Sequence, residues 1–120
     1  MGNQNVTGIK RIYNAFFFSM KGFRATWVNE AAFRQEFSLF LIFTPIGFWL
    51  GETKIDQILL VGSLTLILLA ELLNSAIEAV VDRVGYDHHE LSGRAKDIGS
   101  AAVFLTLVWA AFTWYFILIY

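Results

Sequence analysis

The sequence predicts an all-α membrane protein in which three transmembrane helices and an N-terminal amphipathic interfacial helix pack as one helical bundle. Three observations carry that expectation. The 120 residues are 57% hydrophobic with a single Pro, an apolar share above that of ordinary globular chains. The apolar residues fall in long uncharged runs: Phe37 to Leu50, Ile58 to Ala70 and Ile98 to Tyr120. Basic residues gather at one side of those runs, as they do on the cytoplasmic face of a membrane protein.

The length suits a single integral-membrane domain over residues 1–120. A net charge of −1 gives no basic excess for nucleic acid, which is set aside as a partner. The absence of cysteine excludes disulfides, thiolate metal sites and a Cys nucleophile. Residues 1–7 are polar, lack an apolar signal core and read as a frayed tail rather than a cleavable leader.

Residues 8–29 place Lys10, Arg11, Lys21 and Arg24 against Ile9, Ile12, Tyr13, Phe16, Phe17, Met20, Phe23 and Trp27 at spacings of three and four. That pattern fits a helix lying in the membrane interface, or an amphipathic helix packed on a soluble core. With so little soluble protein to pack on, the interface is favoured. Asn29 to Glu36 then forms a charged bridge. Glu30 and Arg34, four apart, suit a helical ion pair worth a few tenths of a kcal/mol. The alternative is that Glu30 and Glu36 face a shared cavity.

Phe37 to Leu50 alone is short of the roughly 20 residues a span needs, but 31–50 reaches that length with Arg34 and Glu36 at headgroup depth. Pro45 inside it is tolerable in a bundle. Gly51 to Lys54 reads as a tight turn. The second span covers about 55–84, with Gly85 as its stop. Asp87 to Asp97 is the sustained polar loop, and 97–120 is the third span, opening with Gly99, Ser100, Ala101 and Ala102 for close helix approach. Lys10, Arg11, Lys21, Arg24 and Arg34 before the first span, with Arg83, Arg94 and Lys96 after the second, put the N-terminus in the cytoplasm and Tyr120 outside.

The second span ends in Glu71-Leu72-Leu73-Asn74-Ser75-Ala76-Ile77-Glu78-Ala79-Val80-Val81-Asp82. At about 100° per residue, Glu71, Asn74, Glu78 and Asp82 share an arc of roughly 80°. Carboxylates at bilayer depth cost about 2.5–3.5 kcal/mol each on insertion scales and usually mark a site, although a stripe can also be a polar seam between packed helices. Carboxylates with few other ligands suit Mg²⁺ arriving with substrate phosphates. Lys96 and Arg94 could hold phosphate oxygens, which together points to phosphoryl transfer. No Gly-rich Lys-Ser/Thr phosphate loop and no protein-kinase signature is present, and the adjacent His88-His89 would point apart.

Three segments carry a resemblance: Asn29-Glu30-Ala31-Ala32-Phe33-Arg34-Gln35-Glu36, the Glu71 to Arg83 stretch, and His89-Glu90-Leu91-Ser92-Gly93-Arg94-Ala95-Lys96-Asp97. In this order they resemble the signature segments of the prokaryotic diacylglycerol kinase family. The resemblance implies a homotrimer in the bacterial inner membrane, multi-pass, with a cytoplasmic active site and a periplasmic C-terminus. It implies transfer of the γ-phosphate of MgATP to the hydroxyl of diacylglycerol, giving phosphatidic acid, with sites shared between protomers amid membrane lipids. Glu71 would be the catalytic base with Asn74 beside it, and Glu30 and Glu78 the metal ligands on the ATP phosphates. Arg11, His89, Glu90, Gly93, Lys96 and Asp97 would complete the nucleotide site, and Glu36 and Ser100 would join Glu71 on the lipid side. Asp82 and Arg94 match family positions without so definite a role. Phe17 and Phe18 depart from a Gly and a Tyr expected in the surface helix, and Tyr86-Asp87-His88 is a variable stretch. An undecaprenol kinase of the same family is the alternative substrate reading. A non-catalytic ion-conducting or helix-packing membrane protein is the rival of another class.

Overall fold

The computed structural model describes residues 7–85 and 89–120, so the expectations for residues 1–6 and for Tyr86, Asp87 and His88 lie outside the described residues. The described chain is all-helical: α1 (Ile9–Asn29), α2 (Ala31–Leu50), α3 (Lys54–Val84) and α4 (Glu90–Leu118). α3 and α4 form the main packed pair, α2 lies along α3, and α1 joins at its C-terminal turns, where Thr26 is buried.

Each junction has a local cause. α1 and α2 are separated by Glu30 alone, which is extended at φ −120 and ψ 107. The last carbonyls of α1 lack helical donors. The Arg34 guanidinium meets that need, donating to the carbonyl oxygens of Trp27 (2.7 Å) and Val28 (3.1 Å). This corrects the ion pair expected between Glu30 and Arg34: the cation caps the preceding helix, and Glu30 turns elsewhere.

Between α2 and α3 the Gln57 amide donates to Phe48 O at 2.8 Å and Gly51 O at 3.3 Å. A side chain at Gly51 would meet Gln57 Cγ at 2.7 Å, so this turn closes only around glycine. Thr53 then caps α3, its hydroxyl accepting from the Asp56 N–H at 3.1 Å. α2 continues through Pro45 without interruption in its assigned helix.

A second correction concerns the polar loop. Its described part from Glu90 to Asp97 is helical and forms the first turns of α4. His89 caps this helix, Nδ1 accepting from the Leu91 N–H at 3.1 Å. Glu90 sits in the first turn, favoured by the helix dipole, and pairs across one turn with Arg94 at 3.8 Å. The charges mark an exposed helical turn, and Gly93, although unfavourable in a helix interior by roughly 1 kcal/mol, does not interrupt it.

α3 and α4, with 31 and 29 residues, are long and apolar enough to cross a bilayer. The interior is thin. Leu60, Ser63, Ile67, Ala70 and Glu71 form the buried face of α3, opposite Ala110 and Thr113 of α4 and Gly47 of α2. Outside, Ile58 is 67% and Leu105 69% exposed, and most large apolar side chains share their position. So much exposed apolar surface requires a non-aqueous solvent or further subunits.

Candidate functional site

The polar stripe of α3 starts deep and rises outward. Glu71 is only 6% exposed, one residue beyond the buried Ala70. Seven residues on, about 10 Å along the helix, Glu78 is half-buried. Asn74 bridges the interval, its Nδ2 donating to Glu78 Oε1 at 3.4 Å. Asn74 Oδ1 is buried without a protein partner. It faces Gly99 of α4, where an added Cβ would collide with that oxygen. The glycine lets α4 cross α3 at the stripe, and the orphaned acceptor marks a place where a donor is wanted.

Glu30 approaches this stripe from the bend between α1 and α2. Its carboxyl lies within hydrogen-bonding reach of Glu78, and it is pushed above the usual carboxylate range, first by burial, then by the charge and hydrogen bond of Glu78 and the charge of Asp82. Glu36, Glu30 and Glu78 are the carboxylates whose charge reaches Glu71. The structure therefore supports half of the shared-cavity alternative: Glu30 joins Glu78 and Asp82 on the α1–α3 cavity, while Glu36 lines a separate space between α2, α3 and α4.

A cavity of about 690 Å³ opens between α1 and α3 beside these groups. Thr26, Asn29 and Glu30 form one wall, and Ser75, Glu78 and Asp82 line the other. Small residues make it possible: Gly22 and Ala25 on α1 face Ala76 and Ala79 on α3. Sequence reasoning singled out the carboxylates but missed Thr26, Asn29 and Ser75. Their signal was the small-residue spacing on the two helices, legible only once the helices are known to meet.

No group of three or more Asp, Glu or His side chains is gathered as a metal cage among the described residues. The Glu30–Glu78 pair is nonetheless chemically suited to a hard cation that takes its remaining ligands from phosphate and water. Two carboxyls forced together favour a proton or a cation between them.

The remaining candidates are distributed around this centre. Lys96 pairs with Asp82 at 2.8 Å, tying the start of α4 to the cavity wall with both side chains partly exposed. Gly93 is half-buried with nothing within 4 Å of where a Cβ would stand, leaving open space beside the backbone. His89, Glu90, Arg94, Asp97 and Ser100 are exposed along α4 or at its cap. Arg11 is exposed in the first turns of α1 and does not line the cavity. It lies eleven residues before Gly22, or about 16 Å along the helix.

Comparison with known proteins gives a consistent result. A family model described as prokaryotic diacylglycerol kinase matches residues 17–118. A diacylglycerol kinase of Escherichia coli K12 is 54% identical over 110 residues, covering 92% of this chain and 90% of the relative. One from Haemophilus influenzae is 49% identical over 108 residues, covering 90% and 92%. One from Helicobacter pylori is 36% identical over 110 residues, covering 88% and 86%.

Proposed function

The chain belongs to the prokaryotic diacylglycerol kinase family, and from that premise we propose that it acts as an ATP-dependent lipid kinase with Glu71 as general base at the lipid hydroxyl. The observation that carries this reading is the buried position of Glu71 about two turns below Glu78, a carboxylate of the α1–α3 cavity. A water-soluble nucleotide and a membrane-bound alcohol must meet from opposite sides, and the stripe offers each a station at its own depth. The membership also sets aside the non-catalytic pore.

In the reaction, Glu71 takes the proton of the diacylglycerol hydroxyl as its oxygen attacks the γ-phosphorus of ATP. The bond from that phosphorus to the β–γ bridging oxygen breaks, ADP leaves, and the new P–O bond makes phosphatidic acid. Phosphoryl transfer asks chiefly for alignment and neutralised charge. Glu30 and Glu78 would hold Mg²⁺, which when bound neutralises charge on the triphosphate. Asn74, with its unpartnered Oδ1, would orient groups between base and phosphate. Lys96 sits where it can exchange Asp82 for a phosphate oxygen, and Gly93 leaves room for phosphate beside the backbone. His89, Glu90, Asp97 and Arg11 would serve the nucleotide, and Ser100 and Glu36 the lipid.

The membrane reading is part of the same proposal. α3 and α4 cross the bilayer of the bacterial inner membrane, α2 is the third span, and α1 lies in the cytoplasmic interface. The exposed apolar flanks are covered by lipid and by further copies in a homotrimer. In that assembly Arg11 would reach a nucleotide bound at another protomer. The decisive assay presents detergent-solubilised protein with labelled MgATP and either diacylglycerol or undecaprenol. Label in phosphatidic acid is the expected outcome; label only in the polyprenol would reassign the substrate, and none in either would overturn the kinase reading.

A further inference from the structure

The neutral polar residues on the walls of the α1–α3 cavity differ in what their donors do. The Thr26 hydroxyl donates to Gly22 O at 2.9 Å and the Asn29 amide to Ala25 O at 2.8 Å, both back into α1. Such back-bonding is the usual fate of a hydroxyl inside a helix. Ser19, Ser38 and Thr65 follow it, each donating to a carbonyl four residues back. Ser75 departs from it. This residue is half-buried on the cavity wall, and its hydroxyl has no hydrogen-bond partner among the described residues.

The height of Ser75 on α3 matters as much as its freedom. It stands four residues, about 6 Å, beyond Glu71 and three residues, about 4.5 Å, before Glu78. Around the helix axis it lies within about 60° of both. The phosphoryl group has to pass between those two stations, from the triphosphate at Glu78 to the alcohol at Glu71. Asn74 has a similar height, but its Nδ2 donates to Glu78 Oε1 at 3.4 Å, and its buried oxygen is an acceptor facing Gly99. An acceptor repels a phosphate oxygen. Ser75 brings to this level a donor hydrogen that no other group has claimed.

We propose that Ser75 is a further catalytic residue, its hydroxyl donating a hydrogen bond to a non-bridging oxygen of the phosphoryl group in transit. The inference rests on the kinase reading above. The hydroxyl keeps its proton throughout, no bond to Ser75 oxygen forms or breaks, and the proton of the alcohol still goes to Glu71. On a wall crowded with carboxylates, phosphate oxygens meet like charge, and a neutral donor at the crossing point offsets it. Such a donor acts most strongly when it is already in place and has no existing bond to give up.

The test begins with Ser75→Ala, which removes one oxygen and suits a helix. The kcat for phosphatidic acid should fall about 10²-fold, the loss expected when one such donor is removed. The Kd for MgATP, the Mg²⁺ dependence and the unfolding midpoint in detergent should stay unchanged. Ser75→Thr, which keeps the hydroxyl, should recover most of the rate. A further readout is the ratio of the rates with ATP and with its γ-thio analogue, because sulfur is a weak acceptor. That ratio should shrink in Ser75→Ala, where there is no hydrogen bond left to weaken. An unchanged kcat, or the same ratio in both proteins, would overturn the inference. So would a Mg²⁺ titration displaced to higher concentration, which would make the hydroxyl a metal ligand instead. Failure of the kinase reading looks different: the unmodified protein would label no diacylglycerol with either nucleotide.

Discussion

The two halves of α3 follow opposite rules. From Leu60 to Ile67 the buried face is mainly apolar, and the hydroxyl of Ser63 is paired: it donates to Leu60 O at 2.7 Å and accepts from Trp114. From Glu71 to Asp82 the same face is crowded with carboxylates, an amide oxygen is left without a partner, and Glu78 is pressed against Glu30. In one half the buried hydroxyl of Ser63 is tied into the fold, and in the other a buried amide oxygen stands unpartnered among carboxylates. The contrast teaches that a single continuous helix can carry a packed stretch and a polar, incompletely paired one, which is the division the proposed function needs between anchor and reaction centre.

Substitutions can break that division or sharpen it. The largest effect is expected from Glu71→Gln, which should lower kcat by about 10²- to 10⁴-fold, the usual contribution of a general base. Equilibrium binding of MgATP should stay near its original Kd, because the loss is confined to the transition state. A lost nucleotide affinity would place Glu71 among the metal ligands instead. In the anchoring half, Leu60→Ala should cost about 2–5 kcal/mol of stability. Thermal unfolding in detergent should register that loss while kcat below the transition stays close to its starting value. Equal damage to both would deny the division of labour.

Glu78→Gln and Glu30→Gln come next. Each should weaken MgATP binding by about tenfold or more and move the Mg²⁺ dependence of the rate to higher concentration. A magnesium titration that superimposes on the original would show the pair to be a structural seam. The smallest effect belongs to Ser63→Ala, expected to cost about 1 kcal/mol for one lost hydrogen bond. Its unfolding midpoint should fall slightly with no change in MgATP affinity.

The sequence was most legible where its pattern is periodic. Long apolar runs and charges at three- and four-residue intervals are local signals, and they located the helices and the Glu71 to Asp82 stripe. Legibility failed where a residue's partner is distant in sequence or its role is conditional. Arg34 has an acid four residues away at Glu30, yet the carbonyls of α1 bind it. Glu90 to Asp97 has the composition of a loop, and helix is favoured there by a cap and an exposed face. Gly99 reads as one of several small residues at a helix interface. Its specific task, clearing space for Asn74 Oδ1, depends on where α4 crosses α3. Trp114 lies in an uncharged run that gives no sign of its partners, and its N–H turns into the bundle toward Leu60 and Ser63, more than fifty residues away.

The single-residue junction at Glu30 has a mechanical consequence. α1 is a rigid rod of 21 residues, about 31 Å long, and its pivot is a carboxylate of the cavity between α1 and α3. A lever so mounted cannot tilt without turning the residue at its fulcrum. Arg34 fastens the near end of the rod to the first turn of α2, which stiffens the pivot but leaves the far end to whatever surface supports it. The inclination of α1 and the spacing of Glu30 from Glu78 are thus a single degree of freedom. Any pressure that lifts or flattens the rod is felt as a displacement between two carboxyl groups.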